Sequence, residues 1–206
     1  MISKTLDDYI NQTVTGFESI PVERKQLLKL VSEYISQQLK ENRIAQLTFI
    51  CTHNSRRSHM GQIWAQVAAS YYGLEGVETF SGGTTATAFF PRAVEAMEGA
   101  GLEVSTEKQI VNPVYRIKYN NGNPAIEVFS KKFDHSSNPR ERFCAIMTCT
   151  DADEKCPFIP GATKRVSITY EDPKAFDRSE KEEQAYSERS RQIAREMFYM
   201  MSKVSI

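Results

Sequence analysis

Nothing in this sequence is long and apolar enough to span a bilayer, and its first residues, MISKTLDDYINQ, lack the basic-then-apolar layout of a secretory leader. A cytoplasmic location is therefore expected, with no membrane partner. There is no excess of either charge. The 26 Lys and Arg residues balance 26 Asp and Glu, which argues against a nucleic acid or an anionic membrane gripped by charge alone. No internal repeat and no low-complexity linker breaks the chain, and 206 residues suffice for one domain with a proper core. Cysteine is scarce at four residues, and a reducing cytoplasm disfavours structural disulfides. Each cysteine then needs its own explanation in packing, metal binding or chemistry.

What is present reads as alternating strands and helices. VERKQLLKLVSEYISQQLKEN sets Leu27, Leu28, Val31, Tyr34, Ile35 and Leu39 on one helical stripe, with Pro21 dividing it from a weaker helix before it. AQLTFIC, VETFSGG, FCAIMTC and RVSIT are short, apolar, β-branched runs suited to buried strands. Helical patterns follow in SHMGQIWAQVAASYYG, with Ser58 expected as its N-cap, in PRAVEAMEGAGL, and from about Ser179 to Met201. This order predicts an α/β fold: a flavodoxin-like parallel four-stranded sheet flanked by helices. VYRIKYNNGNPAIEVFSKKF alternates apolar and polar residues around Asn121-Gly122, the mark of a β-hairpin inserted at about 109–135. The expected division is an N-terminal helical extension over 1–44 and the α/β domain over 45–206.

The densest chemistry lies in CTHNSRRS. A strand ends at Cys51, a polar and basic loop follows, and a helix begins near Ser58. In such a unit the loop amides and the helix N-terminus converge on one point and favour an anion there. The same field steadies a thiolate, which makes Cys51 a candidate nucleophile. Arg57 offers a planar fork to a tetrahedral oxyanion, Asn54 tolerates the left-handed backbone that a tight cradle needs, and Ser58 can donate to the sulfur. The candidate substrate-binding set is His53, Asn54, Ser55, Arg56, Arg57 and Ser58. The bland alternative is a buried strand-end cysteine ahead of a basic surface loop. His59 is expected on the surface, and Cys144 as an ordinary buried strand residue.

A second pair, Cys149 and Cys156, lies in MTCTDADEKCPFIPG. Cys149 ends a strand, so it is expected on the same sheet edge as Cys51, with a mobile loop letting two thiols approach each other. Zinc and a pair of inert thiols are the rivals; for zinc the spacing is unusual and no histidine lies nearby. Asp172, before Pro173, follows the last strand and is expected on that edge too.

CTHNSRRS, with FSGGTTATAFFPRAVEAMEGAGLEVS, resembles the phosphate loop and second strand–helix unit of the low-molecular-weight protein tyrosine phosphatases and of the arsenate reductases sharing their fold. TDADEKCP resembles the relay loop of the thioredoxin-coupled arsenate reductases. The resemblance covers roughly residues 46–201, and His53 and Arg56 depart from it, standing where the family usually has glycine and a second loop cysteine. It implies Cys51 as nucleophile, Arg57 as oxyanion binder, Asp172 as general acid, and Cys149 and Cys156 as the relay. The activity implied is reduction of arsenate, a phosphate-like oxyanion, with thioredoxin as reductant and neither metal nor organic cofactor. Gln62 replaces the acidic residue a supporting cation wants. Two rivals stand beside it: a phosphatase using Cys51, Arg57 and Asp172 alone, and a non-catalytic anion-binding module.

Overall fold

A computed structural model of the chain describes residues 3–106 and 110–206. Gln109, the expected start of the insertion, and residues 1–2 lie outside the described residues. The central sheet has four parallel strands in the order β2-β1-β6-β7: β1 (Ala45–Cys51), β2 (Val77–Gly83), β6 (Phe143–Met147) and β7 (Ala162–Ser167). β1 lies between two neighbours and is buried throughout except at Gln46, which explains its near-continuous apolar sequence. Helices α1 (Lys4–Thr15), α2 (Val22–Lys40), α3 (Arg57–Tyr71), α4 (Pro91–Gly99) and α6 (Glu182–Ser202) flank it, and a short α5 (Thr150–Lys155) follows β6. Among the described residues no helix is long and apolar enough to cross a membrane.

Because the strands are parallel, their C-terminal ends share one edge. Cys51 pairs with Gly83 in register and Ile50 with Met147, so whatever follows these residues gathers there. Gly83 is needed for closeness rather than for flexibility. A Cβ on it would stand 2.3 Å from the Thr85 carbonyl oxygen and 2.7 Å from the Asn54 nitrogen.

α1 and α2 are woven into the core. Leu6, Ile10, Leu28, Val31 and Ile35 are fully buried, each contributing about 1.5–3 kcal/mol of burial. Tyr9 stacks on Trp64 of α3 at 5.1 Å between ring centroids. Arg24 of α2 donates to the Glu196 carboxylate at 2.8 Å and to the Thr169 carbonyl at 2.8 Å, and Tyr170 donates to the same carboxylate. The segment leading to Asp172 is thereby held by α2 and α6.

The insertion forms a hairpin of β4 (Tyr115–Lys118) and β5 (Ile126–Val128), with Ile117 opposite Ile126. Its connection is longer than a two-residue turn at Asn121-Gly122. Asn120 accepts from the amides of Gly122 and Asn123 through its side chain, closing an Asx-type turn instead. β3 (Glu103–Thr106) pairs antiparallel with β4 and makes a second, three-stranded sheet. Ser58 is not the N-cap of α3. Arg56 occupies that position without a side-chain cap, and the Ser58 hydroxyl is used elsewhere.

Candidate active site

Cys51 closes β1 with its side chain buried, and residues 52–56 turn over it before α3 begins. Asn54 takes φ of 44°, the left-handed conformation that its short polar side chain tolerates, and is fully buried. Its amide nitrogen donates to the Ser58 hydroxyl at 2.9 Å, and its amide oxygen accepts from the Lys131 backbone N–H at 2.8 Å. Ser58 lies 3.1 Å from the Cys51 sulfur. Ser55 is buried, and its carbonyl accepts from the Phe90 amide at 2.9 Å, which joins the loop to the start of α4. His53 contributes its carbonyl, which accepts from Thr87 and Ser130, while its side chain is exposed.

The two arginines have different surroundings. Arg57 donates to the Tyr170 carbonyl at 2.8 Å and to the Asp172 carboxylate at 2.6 Å, whereas its Nε is buried with no partner. A buried guanidinium donor with nothing to donate to is an opening for an oxyanion. Arg56 donates to the Tyr186 hydroxyl at 2.6 Å and to Asp177 at 3.3 Å, and stacks on the Phe90 ring at 4.1 Å. It pins the loop to α4 and α6, and stands 4.0 Å from Asp172. Burial and Asp177 together raise the Tyr186 hydroxyl well above the ordinary tyrosine value, so it stays a neutral donor and acceptor.

Asp172 accepts from the Lys174 amide at 3.1 Å, which orients its carboxylate at the head of a 3-10 turn, Pro173–Phe176. From it an open groove of about 1280 Å³ runs between that turn and α6, lined by Lys174, Phe176, Lys181, Glu188 and Arg195 among others. Neither Cys51 nor Arg57 lines the groove.

Cys149 stands two positions beyond the end of β6, on the edge that carries Cys51. Its sulfur lies 3.4 Å from the Thr52 hydroxyl, and it accepts from the Ala152 amide at 3.4 Å. The segment expected as a mobile loop is the helix α5, with Cys149 at its N-cap and half-buried Cys156 at its C-cap. The acidic residues near the pair are partly neutralised. Arg165 of β7 donates to the Asp153 carboxylate at 2.6 Å, and Ser167 also bonds it. Phe158, just beyond Cys156, is 73% exposed.

Cys144 is buried mid-strand, and burial pushes its thiol up to about 12, which leaves it inert. His59 is not on the surface. It is fully buried 4.3 Å from the Phe89 ring, and neither ring nitrogen has a hydrogen-bond partner. Burial first, and the nearby Lys131 charge second, lower it to about 3, so it is neutral. Lys131 itself, missed as a site neighbour from sequence, is buried beside the loop and lowered to about 8 by burial. Among the described residues no three His, Cys, Asp or Glu side chains gather as a metal-ligand group.

The sequence model of the family described as low molecular weight phosphotyrosine protein phosphatase matches residues 46–121. The arsenate reductase of Bacillus subtilis (strain 168) is 28% identical over 151 residues, covering 73% of this chain and 88% of that protein. Arsenate reductase 2 of Staphylococcus epidermidis is 27% identical over 125 residues, covering 61% of this chain and 76% of that protein. Among solved structures, an arsenate reductase in the phosphate binding state superposes with a TM-score of 0.51 and 16% identity, covering 79% of this chain and all of that one. A low molecular weight protein tyrosine phosphatase from Bacillus subtilis superposes with a TM-score of 0.50 at 14% identity, covering 77% of this chain and 95% of that one.

Proposed function

We propose that this chain, a homologue of the arsenate reductases with the low-molecular-weight phosphatase fold, reduces arsenate through three cysteines and draws its electrons from thioredoxin in a reducing cytoplasm. The observation that carries the reading is the Cys149 sulfur lying 3.4 Å from Thr52, the residue next to Cys51. A hydrolase of this fold has no use for a second thiol at that point.

In this mechanism the Cys51 thiolate attacks the arsenic of arsenate, held by the loop amides and the Arg57 guanidinium. An As–S bond forms, and one oxygen leaves as water with a proton from Asp172. Cys149 then attacks the Cys51 sulfur. The electron pair of the As–S bond goes to arsenic, arsenite leaves, and a Cys51–Cys149 disulfide remains. Cys156 attacks Cys149, which frees Cys51 and carries the disulfide to the half-exposed end of α5.

The relay sets a mechanical condition. Residues 149 and 156 cap opposite ends of a helix rising about 1.5 Å per residue, so their α-carbons are roughly 10 Å apart, and a disulfide spans at most about 7 Å. α5 must therefore unwind. A helix this short is marginal by itself, and it is held mainly by Arg165 through the Asp153 carboxylate and the Asp153 and Cys156 carbonyls.

The second reading is phosphomonoester hydrolysis by Cys51, Arg57 and Asp172. The groove beside Asp172 favours it, since about 1280 Å³ far exceeds a lone oxyanion and suits the organic part of an ester. Cys149→Ser and Cys156→Ser separate the two. Arsenate reduction stops in both variants if the relay operates, and mass spectrometry finds the Cys149–Cys156 disulfide in the arsenate-treated parent. Phosphatase turnover that survives both changes, without any such disulfide, overturns the reductase reading.

A further inference from the structure

We propose that the segment returning from the inserted hairpin sets the direction of proton donation at Cys51, with Asn112 as a positioning residue acting through Ser130 and Lys131. This rests on Cys51 as an anion-site nucleophile and is independent of whether arsenate is the substrate.

One hydrogen-bond chain connects the Lys131 amide to the Cys51 sulfur. A backbone N–H can only donate, so the Lys131 amide, 2.8 Å from the Asn54 side chain, must face its oxygen. That settles the orientation of the Asn54 carboxamide, which by itself is ambiguous. Its NH₂ group then faces Ser58 at 2.9 Å, and the Ser58 oxygen accepts. With its acceptor side engaged, the hydroxyl proton of Ser58 is directed at the Cys51 sulfur, 3.1 Å away. A sulfur that receives a proton donor is steadied as an anion, both as nucleophile and as leaving group. If the carboxamide turned over, its NH₂ would oppose the Lys131 amide and its oxygen would accept from Ser58. The sulfur would then lose its donor.

Lys131 is kept in place from its two sides. Its carbonyl accepts from the Gly83 amide at 2.9 Å, and its neighbour Ser130 is gripped by Asn112. The Asn112 oxygen accepts from the Ser130 amide at 3.0 Å, and its NH₂ donates to the Ser130 carbonyl at 2.8 Å. The Ser130 hydroxyl accepts from the Thr87 amide at 2.7 Å and donates to the His53 carbonyl at 3.0 Å. One carboxamide on the insertion thus holds the register of two residues against the anion loop. The insertion is a wall of the site rather than an ornament on the domain.

The test measures alkylation of Cys51 by iodoacetamide against pH, read by peptide mass spectrometry, together with its protection by inorganic phosphate. In Asn112→Ala the midpoint of the alkylation profile rises by about one pH unit and phosphate protection weakens roughly tenfold. Asn112→Asp keeps the acceptor for the Ser130 amide and falls between the two. Asn123→Ala, at the far end of the same insertion where it contacts Ser70 and Tyr119, leaves both readouts unchanged. A parent-like profile and protection in Asn112→Ala overturn the proposal. So does an equal loss in Asn123→Ala, which would assign the effect to folding of the insertion as a whole. Should Asn112→Ala fail to fold, Ser130→Ala removes only the hydroxyl contacts to His53 and Thr87. It weakens phosphate protection several-fold, and unchanged protection there refutes the proposal. Failure of the reductase reading looks different: the parent chain shows phosphate-protected Cys51 but no arsenate turnover.

Discussion

Asp172→Asn is expected to move binding and turnover in opposite directions. In the structure Arg57 gives one arm of its guanidinium to Asp172 at 2.6 Å, with the carboxylate side chain 32% exposed and the arginine 12%. An oxyanion that takes the arginine fork must first compete with that carboxylate. Exposed ion pairs contribute about 0.2–1 kcal/mol and hydrogen bonds to charged groups about 1.5–3, so a pair this accessible holds Arg57 by about 1 kcal/mol after solvent screening. At 1.4 kcal/mol per factor of ten, its removal tightens phosphate binding roughly fivefold. Asparagine is nearly the same size and still accepts from the Lys174 amide, so the 3-10 turn survives. The lost proton donor lowers turnover by about 10²–10⁴-fold. Protection of Cys51 from iodoacetamide by phosphate gives the affinity, and steady-state assay gives the rate. The tightening shrinks in high salt, because the pair it removes is screened. Weaker phosphate binding by Asp172→Asn would refute the competition, since it would mean that the carboxylate positions the arginine for the ligand instead of withholding it.

Two further outcomes follow from buried groups. Because His59 is held near 3 in the folded chain and sits near 6.5 when unfolded, the unfolded state takes up its proton first as the pH falls. Its contribution is fully present above pH 6.5 and is lost downward to about 3, at roughly 1.4 kcal/mol per pH unit inside that window. Denaturant midpoints against pH measure this, and His59→Phe flattens the slope; identical slopes in parent and variant count against it. Gly83→Ala drives a Cβ onto backbone atoms of Thr85, Asn54 and Thr52, which cannot yield as a flexible side chain does. Overpacking of this kind costs roughly 1–3 kcal/mol, seen as a lowered melting temperature together with lost phosphate protection. An unchanged melting temperature removes the argument for close approach.

The elements carried by strong periodicity were the legible ones. β1, β6 and the α2 and α6 stripes stand out because burial on a sheet or along a helix face imposes its period on the residues. β3 was not legible: EVST is short and mostly exposed, and becomes a strand only because β4 is there to pair with it. Polarity alone puts His59 on the surface, and position alone makes Ser58 a helix cap. Neither reading had access to Phe89 above the imidazole or to the sulfur beside the hydroxyl. The segment between Cys149 and Cys156 looked like an acidic loop because α5 depends on Arg165, which lies on another strand.

From the order of its residues alone, this protein has a strand-end cysteine before a basic turn, two further cysteines around an acidic segment, and an Asp-Pro after the last strand. Those are matters of chain neighbourhood, and local steric and hydrogen-bonding rules read them directly. Which arginine keeps a free donor, which backbone amide meets the Asn54 side chain, and which helices steady Asp172 were decided only by folding. Parallel strands bring distant segments to one edge, and partners such as Arg24 and Glu196, or Lys131 and Asn54, meet nowhere but in three dimensions.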